Sequence, residues 1–203
     1  MSSQGLGKKK NPVRHRTIIR DSIYGLTKPA IQRLMLKAGV EQFGGHVHDE
    51  IRLVIKVNME AIIKNSVAIM SYSQVNTMTN QHIEVALASL GISVIVPSGK
   101  YETSSLSVKK RDAVTRNLQK ESEKLIFPRL PFNRLIREVS QDYLDNIRFS
   151  SDSLDLLQIV IEALMLDILK NSNIITTAAG RKTLVPRDIQ VARHIMKNRT
   201  KLV

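Results

Sequence analysis

Two stretches of this chain, roughly 46–73 and 151–177, are apolar on too many sides to be covered by their neighbours in sequence. In the first, Val47, Ile51, Val54, Ile55, Ile62, Ile63, Ser66, Ile69 and Met70 spread around most of a helical circumference. In the second, Leu154, Leu157, Ile161, Leu164 and Ile168 recur at helical spacing. A helix of that character must be buried on several sides.

Each long stretch is flanked by two short helical ones. Ahead of the first, Thr27 is placed as N-cap, Pro29 lies in the first turn, Ile31, Leu34 and Met35 share a face, and Gly39 is the stop. A turn at Phe43-Gly44-Gly45 follows. Asn76 and Thr77 break the long helix, and Thr79 caps a third through Ile83, Ala86, Leu87 and Leu90, ended by Gly91. The layout returns about a hundred residues later, Arg33-Leu34-Met35 answering to Arg134-Leu135-Ile136. There Pro131 opens a short helix through Phe132, Leu135, Ile136 and Val139, and 144–150 form a loop. Arg181-Lys182-Thr183 form a second loop, and Pro186 starts a last helix with Ile189, Ala192, Ile195 and Met196. An additional helix over roughly 109–121 precedes this half.

Neither half can bury its long helix with two short partners. Burying one Leu or Ile contributes about 1.5–3 kcal/mol, so exposing a whole side forfeits most of the stability. The halves are therefore expected to clasp each other. The connector at 92–108 stretches to about 56 Å at ~3.3 Å per residue, so pairing within one chain is easy. The expected organisation is a disordered basic tail at 1–13, a first unit at 14–91, the connector, and a second unit at 109–203. Aromatic residues are only 4% and Trp is absent, so aliphatic side chains must fill the core, which suits helices.

Charge narrows the function classes. The net charge of +13 calls for a polyanionic partner. Residues 1–20 carry six bases and no acid, 21–99 are balanced, and 100–203 carry nineteen bases against twelve acids. No run of 18 apolar residues exists to span a bilayer, the N-terminus lacks the apolar stretch of a secretory signal, and without Cys there is no thiolate or disulfide chemistry. These features point to an intracellular protein, or one packaged in a particle assembled in cells.

Specific residues then carry a resemblance. Arg14-His15-Arg16, Arg20-Asp21 and Gly25-Leu26-Thr27-Lys28-Pro29-Ala30-Ile31 resemble the tail base and first helix of histone four. Leu130 through Glu138 (LPFNRLIRE), Gln141-Asp142, Ile147-Arg148-Phe149 and Pro186 through Arg193 (PRDIQVAR) resemble histone three. The resemblance covers 14–90 and about 110–199, and fused pairs in this order resemble the histone doublets of large DNA viruses. It implies an all-α fold, two tandem histone folds clasped as an intramolecular pair, that wraps double-stranded DNA without sequence preference and needs no cofactor. It also implies chromatin-like particles in a virion, a viral factory or a host nucleus.

Wrapping of this kind uses arginines inserted where the minor groove faces inward, with helix N-termini and main-chain amides on phosphates. By resemblance Arg148 is a minor-groove arginine, flanked by Phe149 and oriented by Thr77 across the pair. Arg33 and Arg134 sit on first helices aimed at phosphate. Arg129, Arg137, Arg181, Lys182 and Thr183 add phosphate contacts, Gly45 offers its amide, and Arg14 and Arg16 belong to the tail base. Arg181, Asp188 and Val191 match positions that join two copies through a four-helix bundle, although Ala178 replaces a family histidine there. Ile69, Tyr72 and Val85 occupy positions that dock a further histone pair, and their changed identities imply a dedicated partner, such as another fused doublet. Two departures weaken the DNA grip: Gln42 stands where histone four has a minor-groove arginine, leaving Thr183 without a cation, and Gln74-Val75-Asn76 replaces a basic loop.

Other groupings read more plainly. His46, His48, Asp49 and Glu50 resemble a metal cluster but lack further ligands at suitable spacing, so they are taken as an acidic helix start with the histidines exposed. Gly5-Leu6-Gly7-Lys8 follows no strand and is flexible tail rather than a phosphate loop. Lys8, Lys9 and Lys10 suit plain phosphate binding better than a nuclear address or modification targets. Asp142 and Asp145 near Glu138 are expected to pair with Arg137 and Arg148 or to face solvent. No nucleophile–base pair, metal spacing or nucleotide loop supports an enzyme. A regulatory histone-fold module is expected to show base-contacting residues or long acidic or glutamine-rich appendages, and none is visible in this sequence. A membrane binder is disfavoured by helices that are apolar nearly all round.

Overall fold

The computed structural model describes residues 22–92, 125–144 and 146–197. A 3-10 turn at Ser22–Gly25 leads into α1 (Lys28–Lys37), β1 (Gln42–Phe43), α2 (Val47–Tyr72), β2 (Thr77–Met78) and α3 (Asn80–Ser89). The second half runs α4 (Arg129–Gln141), β3 (Arg148–Phe149), α5 (Ser151–Ala178), β4 (Thr183–Leu184) and α6 (Pro186–Lys197). The tail at 1–13, Arg14, Arg16, most of the connector and the helix expected at 109–121 lie outside the described residues.

Local chemistry sets most boundaries. Thr27 takes the extended N-cap conformation ahead of α1 without a side-chain bond, and Gly39, at φ +84°, makes the left-handed turn that ends it. Ser150 caps α5, its hydroxyl oxygen accepting from the Ser153 amide at 3.2 Å. α4 starts at Arg129 rather than at Pro131. Pro128 is its N-cap, and Pro131 falls in the first turn, where a missing amide hydrogen costs nothing. The lead-in is fixed by buried Glu162, which accepts from the amides of Ile126 (2.9 Å) and Phe127 (3.0 Å), while Gln158 donates to the Phe127 carbonyl at 2.8 Å.

The two short strand pairs define the topology. β1 lies parallel to β4, with Gln42 opposite Thr183, and β2 lies parallel to β3, with Thr77 opposite Arg148. Each pair joins one half's first loop to the other half's second loop, so the halves clasp head to tail and α2 and α5 share one core. α2 buries Ile51, Val54, Ile55, Met59, Ile62 and Ile63, and α5 buries Leu157, Val160, Ile161, Met165 and Leu169. Both belong to a continuous cluster with Leu34, Met35, Phe132, Leu135, Ile136 and Ile189. Polar ties reinforce the clasp: the Ser22 amide donates to Glu138 at 3.0 Å, Asn173 to the Gly39 carbonyl at 3.0 Å, and Arg193 lies 3.9 Å from Glu50.

A further expectation is overturned at the histidines. His46 is exposed, but His48 is buried, edge-on to Phe43 with ring centroids 5.1 Å apart. It lies on the inner face of α2, one turn before Ile51 and Arg52, and neither ring nitrogen has a hydrogen-bond partner. Burial lowers its pKa below 6.5, the cations of Lys28 and Arg52 lower it further, and Asp49 and the Gly45 backbone act weakly the other way. Asp49 serves as partner to Arg52, at 2.8 Å. Among the described residues no His, Cys, Asp and Glu cluster could hold a metal.

Candidate nucleic-acid interface

The head-to-tail clasp puts loops from both halves side by side at each end of the molecule. At one end the Arg148 amide donates to the Asn76 carbonyl at 3.0 Å and the Ser150 amide to the Met78 carbonyl at 3.1 Å. The ladder thus fixes Arg148 beside Thr77 through the main chain, with the Arg148 side chain exposed. Strand alternation turns the intervening Phe149 amide away from the ladder. The Phe149 ring is half-buried against the core, so it is the main chain of Phe149 that this edge offers. Asn146, at φ 64°, makes the left-handed turn into the strand, a conformation that asparagine tolerates best among non-glycine residues. Asn76, Thr77, Asn146, Ile147 and Arg148 line a groove of about 610 Å³.

At the other end Thr183 faces Gln42, its hydroxyl donating to the Gln42 side-chain oxygen at 3.3 Å. The position where a cation is missing therefore still holds a cross-half contact, without charge. Gly45 is exposed at the start of α2, and Lys182 is exposed immediately before β4.

The remaining cations divide into free and tied. Arg134, Arg137, Arg148 and Lys182 are exposed and make no ion pair among the described residues. Arg33 is exposed and makes one long contact, 3.5 Å, to the Ile126 carbonyl. Arg129 is paired with Asp155 through a single terminal nitrogen. Arg181 is held by Asp188 through two bonds of 2.7 and 3.1 Å. Buried Asp188 also accepts from the Thr176 hydroxyl (2.8 Å) and the Val185 amide (3.1 Å). Burial alone would raise its pKa, but the bonds from Arg181, Val185 and Thr176 outweigh it and hold the carboxyl below its ordinary value. The same partnership raises the pKa of Arg181. Asp142 is exposed, whereas Glu138 is taken up by Ser22; Asp145 lies outside the described residues.

Apolar side chains also reach the surface. Tyr72 is 91% exposed, Val85 is exposed and Ile69 half-buried, all at one end of α2 and on α3. Val191 is exposed on α6 together with Ile195 and, on α5, Ile174. Sequence reading missed Ile174 and Ile195 as surface residues, and it missed Asp155 altogether. The available signal was that 174 falls off the stripe running through Leu157, Ile161, Leu164 and Ile168.

Residues 108–195 match the core histone domain, the family that takes in all four core histone types. The crystal structure of the histone from Methanopyrus kandleri is similar to the chain at a TM-score of 0.54 and 17% identity, covering 82% of this chain and 91% of that one. The structural likeness therefore reaches well beyond the segment matched by sequence, and the molecule is all-α, two tandem histone folds clasped within one chain.

Proposed function

We propose that this chain is a structural DNA-packaging protein, a histone-four-like fold fused to a histone-three-like fold that wraps double-stranded DNA without sequence preference. The observation that carries this reading is the cross-half ladder placing Thr77 beside Arg148, with that arginine exposed and unpaired among the described residues. Arg33, Arg134, Arg137, Lys182, the Phe149 and Gly45 amides and, from the tail base, Arg14 and Arg16 supply phosphate contacts. A second copy docks on the α5–α6 end, where Arg181 and Asp188 clamp the loop to α6 and Val191 is exposed. A partner pair of the other two core types, itself a fused doublet, docks on Ile69, Tyr72 and Val85. The resemblance to doublets of large DNA viruses points to chromatin-like particles in a virion, a viral factory or a host nucleus.

Nuclease digestion of long DNA assembled with the protein, with and without a candidate partner doublet, tests the reading. A discrete protected fragment of about 120–150 base pairs with the partner supports a nucleosome-like particle, for which the known octamer protects ~146. A short fragment in both conditions reduces the role to bending DNA or holding a smaller particle. No protection at all replaces packaging by a regulatory module.

The departures at Gln42 and at Gln74-Val75-Asn76 make this grip looser than that of a eukaryotic particle, each missing phosphate contact lowering the salt slope by about 0.9. Release of DNA at the same salt concentration as from eukaryotic particles would refute this.

A further inference from the structure

The start of α4 carries a cation that the chain itself has neutralised. Arg129 is the first residue of α4, and Asp155 lies one turn into α5. Both carboxylate oxygens of Asp155 accept from one terminal nitrogen of Arg129. The Asp155 side chain is 14% exposed and the Arg129 side chain 55%, so the acid is seated in the protein and the base is the more open partner. Arg134 and Arg137, further along the same helix, are exposed and make no ion pair among the described residues.

The geometry points to Asp155 as an internal competitor of phosphate, a residue that tunes DNA affinity downward at this helix end. The inference rests on the DNA-wrapping reading and concerns one contact within it. Counterion release counts the phosphates that free cations neutralise. An arginine already matched by a fixed carboxylate adds no net charge, and a phosphate approaching it also approaches Asp155. The pair is held within the second half, so the neutralisation is present before DNA arrives. The sequence shows nothing of it: 129 and 155 are far apart, and an aspartate in the first turns of a helix reads as favourable to the helix dipole alone.

The test is a titration of a fixed DNA duplex with the full chain over a range of salt, comparing wild type, Asp155→Asn, Arg129→Ala and the double variant. Asp155→Asn is expected to steepen the salt slope by about 0.9 and tighten binding about eightfold at 0.1 M salt, referred to a common affinity near 1 M. Arg129→Ala leaves the Asp155 carboxylate unmatched and should weaken binding, whereas the double variant, which carries neither charge, should return to the wild-type slope and affinity. An unchanged or shallower slope in Asp155→Asn overturns the inference, a shallower one meaning that the carboxylate positions Arg129 for phosphate. If Asp155→Asn alone does not fold, the double variant decides, because a slope clearly below wild type there refutes self-neutralisation. Failure of all four proteins to bind DNA would instead remove the packaging reading itself.

Discussion

At the scale of single residues, two buried groups give the molecule an acid sensitivity of a defined sign. His48 has its pKa depressed in the folded state, so its stability contribution is complete above 6.5 and is lost as pH falls through that value towards the folded one. Melting temperature should therefore drop as the pH falls through about 6.5. Replacing His48 by Phe should remove most of the drop and, by relieving two unpartnered buried nitrogens, stabilise the protein by about 1 kcal/mol at neutral pH. A Phe variant that keeps the wild-type pH profile would contradict this. Asp188 acts in a lower window: its pKa is also depressed, so its contribution holds above the ordinary carboxylate range and disappears only below about pH 4. Asp188→Ala leaves the Val185 amide without its acceptor and the Thr176 hydroxyl with only the Ser172 carbonyl, and should cost about 1–3 kcal/mol in urea unfolding. A loss within the error of measurement would mean that water replaces the carboxylate.

At the scale of elements, the paired loops are where charge and geometry meet. Arg148→Ala should lower the salt slope of DNA binding by about 0.9 and leave the melting temperature unchanged, because the ladder that holds this residue is made by its main chain. Gln42→Arg should raise the slope by about the same amount, since Thr183 already faces that position. Salt titrations of both variants check the pair, and a slope that ignores either change would remove that edge from the interface. The helices themselves were legible in the sequence, because Gly39, Thr79 and Pro186 mark ends by local chemistry and the apolar spacing marks faces. The two cross-half strand pairs were not, since a strand of two residues has no periodicity and its partner lies in the other half of the chain. For the same reason the state of each arginine escaped sequence reading. Arg129 and Arg148 look alike as residues, yet one is matched by an acid brought in from another helix and the other is free of any ion pair among the described residues.

At the scale of the whole molecule, α2 and α5 share one core, so the two folds should melt as one. Hydrogen exchange in α2 and α5 should be lost in a single transition, and Ile62→Ala, at a fully buried α2 position, should destabilise both halves together by about 2–5 kcal/mol. Separate transitions for the two helices would show that each half has a core of its own. The head-to-tail ladder has a further meaning during synthesis. Gln42 finds its strand partner only at Thr183, so the part of α2 that α5 and α6 cover stays open on the ribosome until almost the whole chain has emerged. At ~5–20 residues per second that interval is on the order of 5–20 s. A nascent chain in that state needs either a chaperone at the exit tunnel or crowding low enough that a neighbouring copy does not supply the missing half first.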